Sequence, residues 1–110
     1  MEYQHRDLAN GRWQNLSFVE KMANIGSEVE RAIKWKNKDN AQYSSMAFER
    51  ALELLDLTIG NERRGSHLRE LLRLREVLVD YFAFENIYGS SEKNWHDYFY
   101  AFSFAARINH

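Results

Sequence analysis

Residues 41–59, AQYSSMAFERALELLDLTI, form an amphipathic pattern with an unusually wide apolar side. Apolar residues recur at steps of three and four, which is the spacing of one face of a helix. This face carries Tyr43, Ala47, Ala51, Leu54, Leu55 and Thr58. Phe48, Leu52 and Ile59 widen it beyond the stripe that one neighbour can cover. A helix this broad in apolar surface contacts two neighbours, which indicates a helical bundle.

The same periodicity predicts three further helices, at about 12–38, 66–84 and 91–108. Ser66 is a predicted N-cap for the third helix, and Ser91 with Glu92 suits the start of the fourth. The loops between them are short, so consecutive helices should run antiparallel. The chain has no proline, which agrees with long uninterrupted helices. We therefore predict one all-α domain over residues 1–110, an antiparallel up-down four-helix bundle.

Composition narrows the classes of function. The chain has 45% apolar and 28% charged residues with a formal net charge of −1, which argues against a nucleic-acid coat or a membrane-surface binder. It has no cysteine, so it has no disulfide framework and no thiolate zinc site. Residues 2–7 lack the apolar core of a signal peptide, and no apolar run approaches the ~20 residues of a membrane span. We expect a cytoplasmic protein without membrane association.

Gly26 lies inside the apolar face of the first predicted helix. That face consists of Leu16, Val19, Met22, Ala23, Val29 and Ile33. The pattern continues past Gly26, so the glycine does not end the helix. We predict instead that another helix packs closely against it.

Arg75, in the third predicted helix, needs a partner. At ~100° per residue, Arg75 falls in the middle of an apolar arc formed by Leu68, Leu71, Leu72, Leu78, Val79 and Phe82. An unpaired buried guanidinium is costly. One interpretation is a structural ion pair, for example with Glu30 of the first helix. The other is a phosphate- or nucleotide-binding arginine in a cleft or dimer seam.

Residues 75–82, REVLVDYF, resemble the signature of the HEPN superfamily (higher eukaryote and prokaryote nucleotide-binding). Those proteins are small helical bundles, many of them toxin-antitoxin or antiviral ribonucleases, whose signature is an arginine, a polar neighbour and then a histidine. Arg75 and Glu76 match the first two positions, and Val79 and Tyr81 match the flanks of the histidine. The histidine position itself holds Asp80. The resemblance therefore implies Arg75 and Asp80 as candidate catalytic residues, but a carboxylate repels phosphate and titrates far below neutral pH.

A second arginine–histidine pair, Arg63 and His67, enters the third helix through a loop interrupted by Gly65. It is a second candidate binding site, against the simpler interpretation of an exposed basic loop. The remaining histidines are scattered, and the sequence contains no metal-binding helix motif, phosphate loop or dinucleotide fingerprint. We therefore predict no metal and no cofactor.

Two broader resemblances concern architecture. Residues 43–57 resemble one helix of a tetratricopeptide repeat, but a solenoid needs about three repeats. The whole sequence resembles a widespread family of short bacterial and archaeal helical proteins of uncharacterised function, which implies no activity. Within 43–57, Glu49, Glu53 and Asp56 lie opposite the apolar arc and are interpreted as a solvated face.

Aromatic residues make up 15% of the chain and are dense in the fourth predicted helix. Its apolar face contains Trp95, Tyr98, Phe99 and Phe102, whereas Tyr100, Phe104 and Ile108 point elsewhere. An exposed aromatic stripe marks a partner surface. Base stacking requires interleaved Lys or Arg, and none lies between residues 98 and 104. We therefore predict a protein interface, most simply of a homodimer, containing Trp95, Tyr100, Phe104 and Ile108.

Three functions remain open on these observations. The first is a non-catalytic helical interaction module that acts as a homodimer or binds a partner protein, favoured because the candidate catalytic pair lacks its histidine. The second is a ribonuclease or nucleotide-binding protein of the HEPN type, in a toxin-antitoxin or defence system. The third is a scaffold built on a repeat-like helical hairpin. Nucleic acid or nucleotide is a partner only under the second.

Overall fold

The computed structural model describes residues 11–62 and 65–108. Within these ranges the chain forms four helices and no strand, which confirms the all-α prediction. Helix α1 spans Phe18–Asn37, α2 Ala41–Asn61, α3 Ser66–Ala83 and α4 Glu92–Ile108. None of the helices in this part of the chain is both long and apolar enough to cross a membrane.

The start predicted for α1, at residue 12, is wrong. Trp13–Asn15 form a separate 3-10 turn, and Leu16 after it is extended. The helix begins at Phe18, where Ser17 and Glu20 form a capping box. The Ser17 hydroxyl accepts from the Glu20 backbone N–H over 3.1 Å, and the Glu20 carboxylate accepts from the Ser17 N–H over 3.0 Å. These two bonds satisfy backbone donors at the helix start, which fixes the boundary.

The N-cap predicted at Ser66 is also wrong by one residue. The cap position of α3 is Gly65, which has a φ of +88°, and Ser66 is the first helical residue. A backbone in this left-handed region favours glycine, so the chain turns into α3 at Gly65 without a side-chain cap. In contrast, α2 has a side-chain cap, because Asn40 accepts from the Tyr43 N–H over 3.0 Å.

The core is built from apolar residues of all four helices and of the preceding 3-10 turn. Its largest fully buried side chains include Trp13, Phe99, Met22, Ile25, Leu55, Leu71 and Leu78. Helix α1 packs against both α2 and α4, and α2 also packs against α3. The broad apolar side of α2 thus serves two neighbours, as its sequence predicts.

Gly26 is the point of closest approach between α1 and α4. A Cβ built on Gly26 would lie 2.8 Å from the ring and Cβ of Phe99. This distance is well inside van der Waals contact, so only glycine allows Phe99 to lie across α1. The prediction that another helix packs closely at Gly26 is confirmed.

Three polar side chains inside the core have hydrogen-bond partners, whereas the buried indole N–H of Trp95 has none among the described residues. The Trp13 indole N–H donates to the hydroxyl of Thr58 over 2.8 Å, and that hydroxyl donates to the Leu54 carbonyl over 2.8 Å. The Ser44 hydroxyl donates to the Ala32 carbonyl over 2.8 Å. Because buried polar groups are costly when unpaired, these bonds hold the 3-10 turn and α1 in register with α2.

Candidate interaction surface on helix α3

The apolar arc of helix α3 is only partly buried. Leu71, Leu74 and Leu78 are buried in the core, whereas Leu72, at the outer edge of the arc, is 50% exposed. Arg75 lies between Leu71 and Leu72 around the helix at ~100° per residue, and its side chain is 41% exposed. The predicted arc omitted Leu74, and Arg75 lies on its half-exposed part rather than in the core.

Arg75 forms an ion pair with α2. Its Nε donates to Oδ1 of Asp56 over 2.8 Å, and the two side chains are 41% and 51% exposed. The hydrogen bond from Arg75 to Asp56 raises the pKa of the guanidinium. The suggested pairing of Arg75 with Glu30 is wrong, because Glu30 instead contacts Nδ1 of His96 on α4 over 2.8 Å. The guanidinium is therefore already engaged at the surface.

Asp80 caps the loop that follows α3. It is 7% exposed, and its two carboxylate oxygens accept the backbone N–H groups of Ile87 and Tyr88 over 2.9 and 3.1 Å. Its own carbonyl accepts from the N–H groups of Phe84 and Asn86. Asp80 thus holds the loop after α3 in place through backbone hydrogen bonds.

The loop between α3 and α4 is closed by further hydrogen bonds. Asn86, with a φ of +56°, exchanges two bonds of 2.9 Å with the backbone of Ser90. The Tyr88 hydroxyl donates to Glu76, which raises the pKa of the tyrosine, and the Arg73 guanidinium lies 5.9 Å from the centre of the Tyr88 ring. The loop folds back along α3 through these contacts.

A groove of about 630 Å³ lies between the outer face of α3 and this loop. Its apolar lining consists of Leu72, Val79, Phe84, Ile87 and Tyr88, and its charged lining of Arg75, Glu76, Asp80 and Glu85. Phe84 and Ile87 are 73% and 78% exposed. The groove therefore displays large apolar side chains to solvent on a loop that hydrogen bonds hold in one conformation. We call it the α3 groove.

The predicted interface on α4 divides into a buried and an exposed part. Trp95 is 5% exposed and packs against Tyr81 and Phe99, so its assignment to an interface is wrong; it belongs to the core. Tyr100, Phe104 and Ile108 are 58%, 48% and 63% exposed. The rings of Tyr100 and Phe104 stack with centroids 6.3 Å apart. We call these three residues the α4 ridge.

The second candidate site is only partly described. Arg63 lies outside the described residues. His67 is exposed, with Nδ1 3.9 Å from a carboxylate oxygen of Glu62 and its ring edge-on to Phe18. Among residues 11–62 and 65–108, no cluster of three His, Asp or Glu side chains could hold a metal ion.

The acidic side of α2 is not uniformly solvated. Glu49 is exposed as predicted. Glu53 is only 8% exposed, so its interpretation as solvated is wrong. Asp56 is half exposed and is engaged by Arg75. Asp56 is the ion-pair partner of Arg75 that the sequence analysis did not identify, because α3 packs at this level against α2 rather than α1.

Comparison with known proteins supplies no relative: no family model, curated protein or solved structure matches this chain.

Proposed function

We propose that this protein is a non-catalytic helical interaction module that works as a homodimer, with the α3 groove as part of its contact surface. The observation that carries the proposal is the exposure of Phe84 and Ile87 on a hydrogen-bonded loop. Burying such a side chain contributes about 1.5–3 kcal/mol. In the single chain, Phe84 and Ile87 remain mostly exposed and gain little of this free energy. Two neighbouring apolar side chains exposed in this way are typical of a surface that a partner covers.

The charged residues of the groove favour binding over catalysis. A ribonuclease of the resembling type needs a free arginine at the phosphate and a histidine to move protons. Here Arg75 is paired with Asp56, and both oxygens of Asp80 accept backbone N–H groups. Glu76 and Glu85 add negative charge to the groove, which opposes a phosphate.

We also infer an HEPN-like antiparallel arrangement of the four helices. Contacts between α1 and α4 run in opposite order along the two helices: Phe18 stacks on Phe102, Gly26 meets Phe99, and Glu30 meets His96. Between α2 and α3, Phe48 stacks on Phe82 and Asp56 pairs with Arg75. In both helix pairs, residues later in one helix contact residues earlier in the other, which supports an antiparallel orientation of α1 with α4 and of α2 with α3.

The second candidate function is an HEPN-type ribonuclease or nucleotide-binding protein, and the position of Arg75 at the groove wall favours it. Labelled RNA incubated with the wild-type protein and with Arg75→Ala tests it. We expect no cleavage by either protein. Cleavage by the wild type that Arg75→Ala abolishes would replace our proposal with this one.

Light scattering on variants tests whether the α3 groove takes part in the homodimer. In Phe84→Ser/Ile87→Ser the two exposed side chains are removed, and we expect the protein to become monomeric while its circular dichroism is unchanged. Met46→Ser removes a partly exposed apolar side chain of α2 that does not line the groove, and this control should remain a dimer. A dimer that persists in the double variant would exclude the groove from the contact.

A further inference from the structure

Helices α3 and α4 are the one pair of consecutive helices in the described chain that do not pack closely together. Helix α1 packs against α2 and α4, and α2 packs against α3. Between α3 and α4 lies a cavity of about 310 Å³, a volume at the small end of the range of ligand sites. Its apolar lining consists of Leu74, Val77, Trp95 and Tyr98, and its charged lining of Glu70 and Arg73. We call it the α3–α4 cavity.

This cavity is separate from the α3 groove. No residue lines both sites. On α3, Val77 of the cavity and Val79 of the groove lie on nearly opposite sides of the helix, because two residues correspond to ~200°. The inference drawn from the cavity therefore does not rest on the proposed homodimer.

The Trp95 indole N–H, on the wall of the cavity, is a buried donor without a partner. Trp95 is 5% exposed, and its Nε1 is closed to solvent and has no acceptor among the described residues. The indole N–H of Trp13, in contrast, donates to Thr58. An unpaired buried donor is costly, so an acceptor that reaches Nε1 removes this cost. Because solvent does not reach the atom, the acceptor has to belong to a molecule that enters between α3 and α4.

The other groups of the cavity define the rest of this molecule. The rings of Trp95 and Tyr98 belong to its apolar walls, which suit a planar aromatic ligand. The Tyr98 hydroxyl donates to the Glu70 carboxylate over 2.6 Å. Glu70 and Arg73 contribute charges of opposite sign, which favours an uncharged ligand. We propose that the α3–α4 cavity binds a small uncharged aromatic molecule whose hydrogen-bond acceptor receives the Trp95 N–H.

Quinoline and isoquinoline, compared with naphthalene, test this assignment. The three molecules share one shape and are uncharged near neutral pH, but only the first two have a ring nitrogen that accepts a hydrogen bond. Binding is followed by NMR titration of the Trp95 indole N–H resonance. We expect at least one of the two to move this resonance downfield and to bind about 2–10-fold more tightly than naphthalene. In Trp95→Phe, which keeps an aromatic ring but removes the N–H, this preference should vanish.

A substitution that fills the cavity locates the binding site. Val77→Phe places a larger side chain on the cavity wall, and we expect it to abolish the binding of all three molecules. Val79→Phe is the matched control, since it makes the same change on the groove side of the same helix and should bind them as the wild type does. Neither valine is fully buried, and an unchanged circular dichroism spectrum would verify that both variants fold.

The possible outcomes decide between this ligand class and others. A preference for quinoline or isoquinoline that depends on the Trp95 N–H supports the assignment. The absence of saturable binding, equal affinities for naphthalene and the two nitrogen-containing rings, or binding that persists in Val77→Phe overturns it. Tighter binding of 2-naphthoate than of quinoline overturns the uncharged class. None of these results changes the proposed homodimer, which is tested by the mass of the chain in solution.

Discussion

Arg75 and Asp56 join α3 to α2 through a hydrogen bond of 2.8 Å between Nε and Oδ1. The pair lies at the wall of the α3 groove, and the Arg75 and Asp56 side chains are 41% and 51% exposed to solvent. An arginine that could have bound phosphate is thus engaged by a carboxylate of its own chain. The pair sets the electrostatic character of the groove, because it neutralises the guanidinium that lines it.

Replacing Arg75 should have little effect on stability. Ion pairs this exposed contribute about 0–1 kcal/mol, because water and salt screen them. We expect the free energy of unfolding of Arg75→Ala, measured by urea denaturation, to fall by no more than about 1 kcal/mol. Asp56→Ala and the double variant complete the cycle. A loss above about 2 kcal/mol would show that the arginine is a buried structural element instead.

Gly26→Ala should destabilise the protein because the new methyl group meets Phe99 at 2.8 Å. Overpacking at such a contact costs about 1–3 kcal/mol. Gly60→Ala is the matched control: Gly60 is also helical, but nothing lies within 4 Å of its added Cβ. That change should stabilise α2 by up to about 1 kcal/mol through helix propensity. Equal thermal unfolding of the two variants would contradict the close approach of α1 and α4.

Asp80→Ala should release the loop that forms the outer wall of the groove. The change leaves the N–H groups of Ile87 and Tyr88 without their acceptor, which costs about 1–3 kcal/mol. Hydrogen exchange at these two amides should accelerate, and dimerisation should weaken. Asp97→Ala, which removes an exposed carboxylate paired with Lys93, should change neither. Unaltered protection at Ile87 and Tyr88 in Asp80→Ala would contradict the capping role.

Tyr98 should make the stability of the fold decrease at high pH. Burial, and next its hydrogen bond to Glu70 of 2.6 Å, raise the pKa of its phenol above the ordinary value of about 10. The contribution of Tyr98 to the free energy of unfolding is therefore complete below pH ~10, where the phenol is protonated in the unfolded chain as well. The contribution is lost as pH rises above that value toward the folded-state pKa, because the unfolded state then binds fewer protons.

The measurement is the urea midpoint between neutral pH and pH ~11. Lysines also titrate in this range, so the comparison is between Tyr98→Phe and Tyr43→Phe, the latter changing an exposed tyrosine of α2. We expect the urea midpoint to decrease less between neutral pH and pH ~11 in Tyr98→Phe than in the wild type. In Tyr43→Phe the decrease should equal that of the wild type. Identical pH profiles for the two variants would rule out Tyr98 as the source.

The helices were predictable because their signals are local. Steps of three and four located all four, and Gly26 was identified as a packing contact because its pattern continued on both sides. The start of α1 was also readable, since Ser17 followed by Glu20 is a capping-box pattern. It was missed because Trp13 and Leu16, three residues apart, continue the apolar spacing before Ser17, although Trp13 lies in the 3-10 turn and Leu16 is extended.

The candidate site was not predictable because it depends on which elements become neighbours. The partner of Arg75 is decided by the packing of α3 on α2, which no single helical pattern contains. Asp80 has its role through a loop that turns back at Asn86 with a positive φ. The same fold-level packing buries Trp95, whose residue type alone suited either a core or an interface.

The molecular mass of the wild-type chain in solution tests the central claim most directly. Sedimentation equilibrium near neutral pH, over a wide range of protein concentrations, measures it without any variant. We predict a mass that rises with concentration to twice that of the chain and no further. A mass that stays at that of one chain at every concentration would contradict the homodimer.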